Sequence, residues 1–128
     1  AGLPGIPLAI AYPRTSFALV DRSGRRCDLM RRAIAVLGLE NCIVEQRDVT
    51  EINGQFDTVI SRAALPPEDI MIHVKRLLAP GGVGLIGLSR RGRDDISSLD
   101  GLGMSLSLVA IPPEVLDTGA ILLRIEAT

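Results

Sequence analysis

Apolar positions recur along this chain in two alternating rhythms. Thr15-Ser16-Phe17-Ala18-Leu19-Val20-Asp21 is a short, mostly apolar, β-permissive run that ends on an acid, and it predicts a buried strand. Beyond it Cys27, Met30, Ile34 and Leu37 fall at i, i+3, i+7 and i+10, one apolar stripe of a helix over 24–37. Ser23 is placed to cap that helix and Gly38 to end it, while Arg25, Arg26 and Arg32 lie mostly off the stripe. Cys42-Ile43-Val44-Glu45-Gln46-Arg47-Asp48 again reads as a strand ending in an acid. Asn53-Gly54 marks a turn, and Phe56 to Arg62 predicts a further buried strand. Pro66-Pro67 opens a helix over 67–78 with Ile70, Val74, Leu77 and Leu78 facing inward, and Ala79-Pro80-Gly81-Gly82 predicts a sharp stop. Val83 to Leu88, Met104 to Ile111 and Ala120 to Ile125 complete the strands, with Pro112-Pro113 starting an excursion between the last two.

The opening stretch, Ala1-Gly2-Leu3-Pro4-Gly5-Ile6-Pro7-Leu8-Ala9-Ile10, sets two glycines around a Leu-Pro ahead of a short helix over 4–12. That helix must end at Tyr12, because the residue before Pro13 avoids the helical region. A glycine turn running into a helix lets backbone amides approach a polar ligand closely. Alternating strands and helices predict an α/β sheet with helices on both faces, and a closing strand pair without a helix predicts an antiparallel C-terminal edge strand. All 128 residues are expected to form a single domain. Because the chain opens inside a turn, that domain is expected to be N-terminally incomplete, with a first strand missing ahead of Ala1. Open sheets of this class bind ligands beyond the carboxyl ends of their strands. That places Asp21, Asp48 and Ser61-Arg62 on the same rim as the Gly2–Gly5 turn.

Composition narrows the function. A hydrophobic content of 47% and a mean hydropathy of +0.32 support a filled core and exclude a disordered chain. No apolar run approaches the roughly 18 residues that span a bilayer, and no signal segment is present, so a cytoplasmic protein with no membrane partner is expected. Cys27 and Cys42 fit neither a metal spacing nor a disulfide framework, and with His73 the one histidine, no metal site is expected. A net charge of −1 and 2% aromatic residues exclude a chain that binds nucleic acid through its overall charge or by extensive base stacking.

Several residues suit particular chemistry. The Asp21 carboxylate can accept hydrogen bonds from both vicinal hydroxyls of a ribose, the alternative being a capping or solvated acid. Asp48 can accept from the exocyclic amine of an adenine, the alternative being a loop acid beside Arg47. Arg62, following a strand expected to be buried, must find a carboxylate or a phosphate. Arg90, Arg91 and Arg93 form either a phosphate-contacting loop or a solvated one. No nucleophilic triad or Cys–His pair is visible, so no catalytic residue is assigned; His73 reads as structural and the cysteines as core fillers.

The opening run, Leu19-Val20-Asp21 with Gly24-Arg25-Arg26, Leu37-Gly38-Leu39-Glu40-Asn41, Phe56-Asp57, Ser61-Arg62-Ala63 and Leu78-Ala79-Pro80-Gly81-Gly82 together resemble the class I S-adenosylmethionine methyltransferases. More narrowly, the chain resembles the bacterial small-subunit rRNA methyltransferase G family, most strongly over residues 1–88. The resemblance implies a Rossmann-like sheet, S-adenosylmethionine as cofactor, and methylation of a guanine at N7 in 16S rRNA of the small ribosomal subunit. It also implies roles by position: Gly2 and Leu3 in the cofactor loop, Asp21 at the ribose, Val49 and Thr50 beside the adenine, and Arg62 as the arginine of the family's Ser-Arg-Ala motif. The chain departs from the family where Gly87-Leu88-Ser89-Arg90 replaces a usual Lys-Gly, and where Asp48 replaces a common arginine. Other readings are a methyltransferase of another substrate, a non-catalytic cofactor- or RNA-binding module, and a nicotinamide-binding fold. The Pro80-Gly81-Gly82 stop and the closing strand pair count against the last.

Overall fold

The computed structural model describes residues 4–62, 67–88, 103–114 and 120–127. They fall into two units, Ala1–Ile52 and Asn53–Thr128. The first holds α1 (Gly5–Ala11), β1 (Phe17–Asp21), α2 (Gly24–Leu37) and β2 (Cys42–Gln46), followed by a 3-10 turn at Val49–Glu51. The second holds β3 (Phe56–Arg62), α3 (Pro67–Leu77), β4 (Leu78–Leu88), β5 (Met104–Ile111) and β6 (Ala120–Ala127).

In the first unit β1 and β2 pair in parallel, with Phe17 opposite Cys42 and Asp21 opposite Gln46. Helix α2 begins and ends where its local signals put it. The Ser23 side chain accepts from the Arg26 amide, and Gly38 adopts φ 63°, a left-handed turn that costs glycine little. Cys27 and Met30 of the stripe are buried with Leu19, and Ile6, Ile34 and Val44 pack against them. Leu37, the fourth stripe residue, is 51% exposed, so the stripe leaves the core at its end.

Since α1 and α2 share this cluster with Leu19 and Val44, both cover the same face of the two-stranded sheet. Helix α1 lies unusually close to its strand: a Cβ on Gly5 would stand 2.2 Å from Leu19 Cδ2. The far end of α1 is tied down by Asn41. Its side-chain amide donates to the carbonyls of Ala9 (3.0 Å), Tyr12 (3.1 Å) and Thr15 (2.9 Å), while its own carbonyl accepts from Phe17 N (2.8 Å). An amide has two N–H donors, so at least one is shared between two carbonyls.

The second unit is a four-stranded sheet in the order β3-β4-β6-β5. β3 and β4 are parallel, whereas β6 runs antiparallel to both neighbours. The expected antiparallel C-terminal strand is therefore present but interior, and β5 forms the edge. Helix α3 buries Ile70, Met71, Val74 and Leu77; the first three pack with Leu78 on Ile86, Leu123 and Ile125. Each such fully buried side chain contributes about 1.5–3 kcal/mol of transfer free energy.

Two expectations for this unit need correction. The Ala79-Pro80-Gly81-Gly82 stop does not separate α3 from a strand starting at Val83: β4 already begins at Leu78, opposite Phe56, and a register shift between Phe56 and Thr58 absorbs the irregularity. Leu78 is 5% exposed, and its burial holds the chain in the sheet where the local signal says break. β3 is not a fully buried strand, since its residues alternate between half-buried and exposed and Ile60 is 39% exposed. Within each unit the described helices cover one face of the sheet.

The Asn41 clamp gives a direct test. Asn41→Leu removes every donor to the three carbonyls and is expected to lower stability by about 1–3 kcal/mol, read from the urea midpoint. Gly5→Ala overfills the α1–β1 contact and is expected to cost about 1–3 kcal/mol, part of which Leu19→Val in the same chain should restore.

Candidate functional site

The parallel pairing of β1 and β2 brings both strand-end acids to the same end of that sheet. Asp21 is fixed at four points. Its carbonyl accepts from Arg47 N at 3.1 Å and from the buried Cys27 thiol at 3.4 Å. Its Oδ1 accepts from Ser23 N at 2.9 Å, and its Oδ2 lies 3.2 Å from Arg26 Nε. The side chain remains 24% exposed, so the carboxylate is oriented and still open to a ligand.

Asp48 sits just past β2 and caps the 3-10 turn. Oδ1 accepts from both the amide and the hydroxyl of Thr50, each at 3.0 Å, and Oδ2 lies 3.5 Å from Arg22 Nη1. Each acid thus accepts from the amide two residues on, the Asx-turn arrangement, and each has an arginine beside it. The expected amine-accepting Asp48 is here first of all a turn-forming residue. Val49 is half-buried and Thr50 exposed within that turn, and Ile52 behind them is 5% exposed.

Arg62 belongs to the second unit, at the end of β3 opposite Gly87, and is exposed with no ion pair among the described residues. The strand carrying it is half exposed, so water can solvate the guanidinium and a phosphate can reach it. Gly2, Leu3, Arg90, Arg91 and Arg93 lie outside the described residues. His73 is half-buried on α3, with Nδ1 shielded and without a hydrogen-bond partner among the described residues. Burial pushes the Cys42 thiol up, which keeps it protonated and poorly nucleophilic at neutral pH. Among the described residues no cluster of His, Cys, Asp or Glu could hold a metal ion, and no helix is long and apolar enough to cross a membrane.

The arginines facing the two acids were not singled out from sequence. The spacing Asp21-Arg22-Ser23-Gly24-Arg25-Arg26 holds a usable signal for one of them: an acid two residues before a capping serine puts the third helical residue within reach of that acid.

Solved structures with this arrangement of strands and helices are Rossmann-like methyltransferases. A methyltransferase from Pyrococcus furiosus superposes with a TM-score of 0.73 at 15% identity, over 93% of this chain and 68% of that one. The magnesium protoporphyrin IX methyltransferase from Synechocystis PCC 6803, solved with bound SAM, gives 0.72 at 20% identity, over 97% and 64%. The fold is that of the class I methyltransferases. The family described as rRNA small subunit methyltransferase G matches residues 1–108, and the chain belongs to that family. Among its relatives, ribosomal RNA small subunit methyltransferase G of Chlorobaculum tepidum is 48% identical over 83 residues, 64% of this chain and 38% of that protein. The Mycolicibacterium gilvum protein of the same name is 38% identical over 113 residues, 82% of this chain and 50% of that protein. The chain thus spans half or less of the length of the curated relatives it matches.

The two functions open to Asp48 separate by substitution. Asp48→Ala is expected to lower stability by about 0.5–2 kcal/mol through the lost cap. Asp48→Asn keeps a capping oxygen and gives up the exposed Arg22 pair, so its unfolding free energy should stay within about 0.5 kcal/mol of the parent, read from the urea midpoint.

Proposed function

We propose that this chain is the S-adenosylmethionine-binding part of an enzyme that methylates a guanine at N7 in 16S rRNA. The observation that carries the reading is the Asp21 carboxylate, anchored yet accessible at the end of β1, in a chain that belongs to an rRNA methyltransferase family. A ribose needs an oriented pair of acceptors at such a strand end, and the residues present fit that requirement. When bound, S-adenosylmethionine supplies a methyl group activated by the positive sulfonium.

Asp21 is assigned to the ribose, Val49 and Thr50 to the edge of the adenine and Asp48 to its amine, Gly2 and Leu3 to the cofactor loop, and Arg62 to the cofactor as the arginine of the Ser-Arg-Ala motif. Arg90, Arg91 and Arg93 are assigned to RNA phosphate. Guanine N7 carries its own lone pair and loses no proton when methylated, so the protein's task is alignment of two partners rather than general-base catalysis. That requirement agrees with a site built of turns and strand ends. The proposed partner is the small ribosomal subunit, the proposed compartment the cytoplasm, and residues 1–128 are proposed to belong to one methyltransferase domain.

Calorimetry on the full-length protein tests the cofactor: S-adenosylhomocysteine should bind and NAD should not, and the reverse result would sink the reading. Incubation with undermethylated 30S subunits and a labelled methyl donor should place label in 16S rRNA; binding of the cofactor without transfer would leave a non-catalytic module. Asp21→Ala is expected to weaken S-adenosylhomocysteine by about 1–3 kcal/mol, the scale of a lost hydrogen bond to a charged group.

A further inference from the structure

We infer that Arg26 is a positioning residue for the cofactor: it holds the Asp21 carboxylate in the rotation that presents both oxygens to a ribose diol. The inference rests on the ribose role proposed for Asp21. A carboxylate has a broad, roughly two-fold terminal torsion, so one anchor leaves its plane poorly defined. Here Oδ1 is held by the Ser23 amide at 2.9 Å and Oδ2 faces Arg26 Nε at 3.2 Å, one constraint on each oxygen. An ionised carboxylate offers about four acceptor positions, so both oxygens keep capacity for incoming hydroxyl donors.

The backbone of Arg26 is itself fixed, because its amide donates to Ser23 Oγ at 3.3 Å in the first turn of α2. The Ser23 residue that caps the helix therefore links both anchors of Asp21. Its amide binds one carboxylate oxygen, and its hydroxyl seats the residue that faces the other. The Arg26 side chain is 59% exposed, which makes a purely stabilising role small, since exposed ion pairs contribute about 0–1 kcal/mol. Arg25, next in sequence and exposed, has no ion pair among the described residues and serves as the internal control for charge.

The test is a cycle on the full-length protein: Arg26→Gln, Arg25→Gln, Asp21→Asn and Arg26→Gln/Asp21→Asn, titrated with S-adenosylhomocysteine by calorimetry, or by ligand-observed NMR where heats are small. Arg26→Gln should weaken binding about tenfold, the scale of coupling within one side-chain network, with an unchanged melting temperature. Arg25→Gln, which removes the same formal charge, should bind as the parent does. In the Asp21→Asn background Arg26→Gln should have no further effect. Arg26→Lys should recover only part of the affinity, because its ammonium sits one atom farther along the side chain than Nε. Equal affinities for Arg26→Gln and Arg25→Gln would overturn the inference, as would an Arg26→Gln effect that persists without the Asp21 carboxylate. Failure of the parent protein to bind S-adenosylhomocysteine would overturn the ribose reading itself, and this inference with it.

Discussion

The first unit depends on how closely α1 approaches β1. A side chain at Gly5 would overlap Leu19 Cδ2, so a hydrogen at that position lets the helix settle on the strand without displacing that buried leucine. Leu19 is two residues from Asp21, and the contact therefore seats the start of α1 near the strand end that carries the acid. At its other end α1 is held by polar contacts instead, through the Asn41 amide and the carbonyls of Ala9 and Tyr12. Two unlike interactions, one of shape and one of hydrogen bonding, fix the direction of a seven-residue helix too short to be stable alone.

Local signals were legible in the sequence and non-local ones were not. Ser23 and Gly38 bracket α2 at the expected residues because a cap is an interaction between near neighbours. The spacing of Ile70, Val74 and Leu77 likewise predicted the buried side of α3. The start of β4 was misjudged because proline and glycine report local bending, while Leu78 stays in the sheet through its pairing with Phe56 and its burial under α3. Strand order failed for the same reason: nothing in residues 104–127 says that β6 inserts between β4 and β5. Of the candidate site, Asp21 was readable as an acid closing a strand. Arg26 left only the local signal of its place three residues after Ser23, and Arg22 left none, because the path of a long side chain back across a turn has no periodicity.

Asp21 and Asp48 look equivalent in the sequence, each an acid at or just past the end of a parallel strand, and the structure employs them differently. Oδ1 of Asp48 serves two donors of its own turn, amide and hydroxyl of Thr50, so substitution there acts first on local structure. Oδ1 of Asp21 serves a single backbone amide, Oδ2 faces Arg26, and its carbonyl takes two further donors. The Asp21 carboxylate thus keeps acceptor capacity on both oxygens for a ligand.

The arginines resolve a conflict in the charge of this rim. Two bare carboxylates at one sheet end would repel a polyanion such as RNA, and the chain's net charge of −1 offers no compensation. Arg22 beside Asp48 and Arg26 beside Asp21 cancel both charges within a few ångströms, well inside the roughly 8 Å over which salt screens at physiological strength. The carboxylate of Asp21 keeps its value as a short-range acceptor, because hydrogen bonding depends on contact, while its long-range repulsion is removed. A rim of this kind offers oriented hydrogen-bond acceptors while carrying little long-range charge of its own.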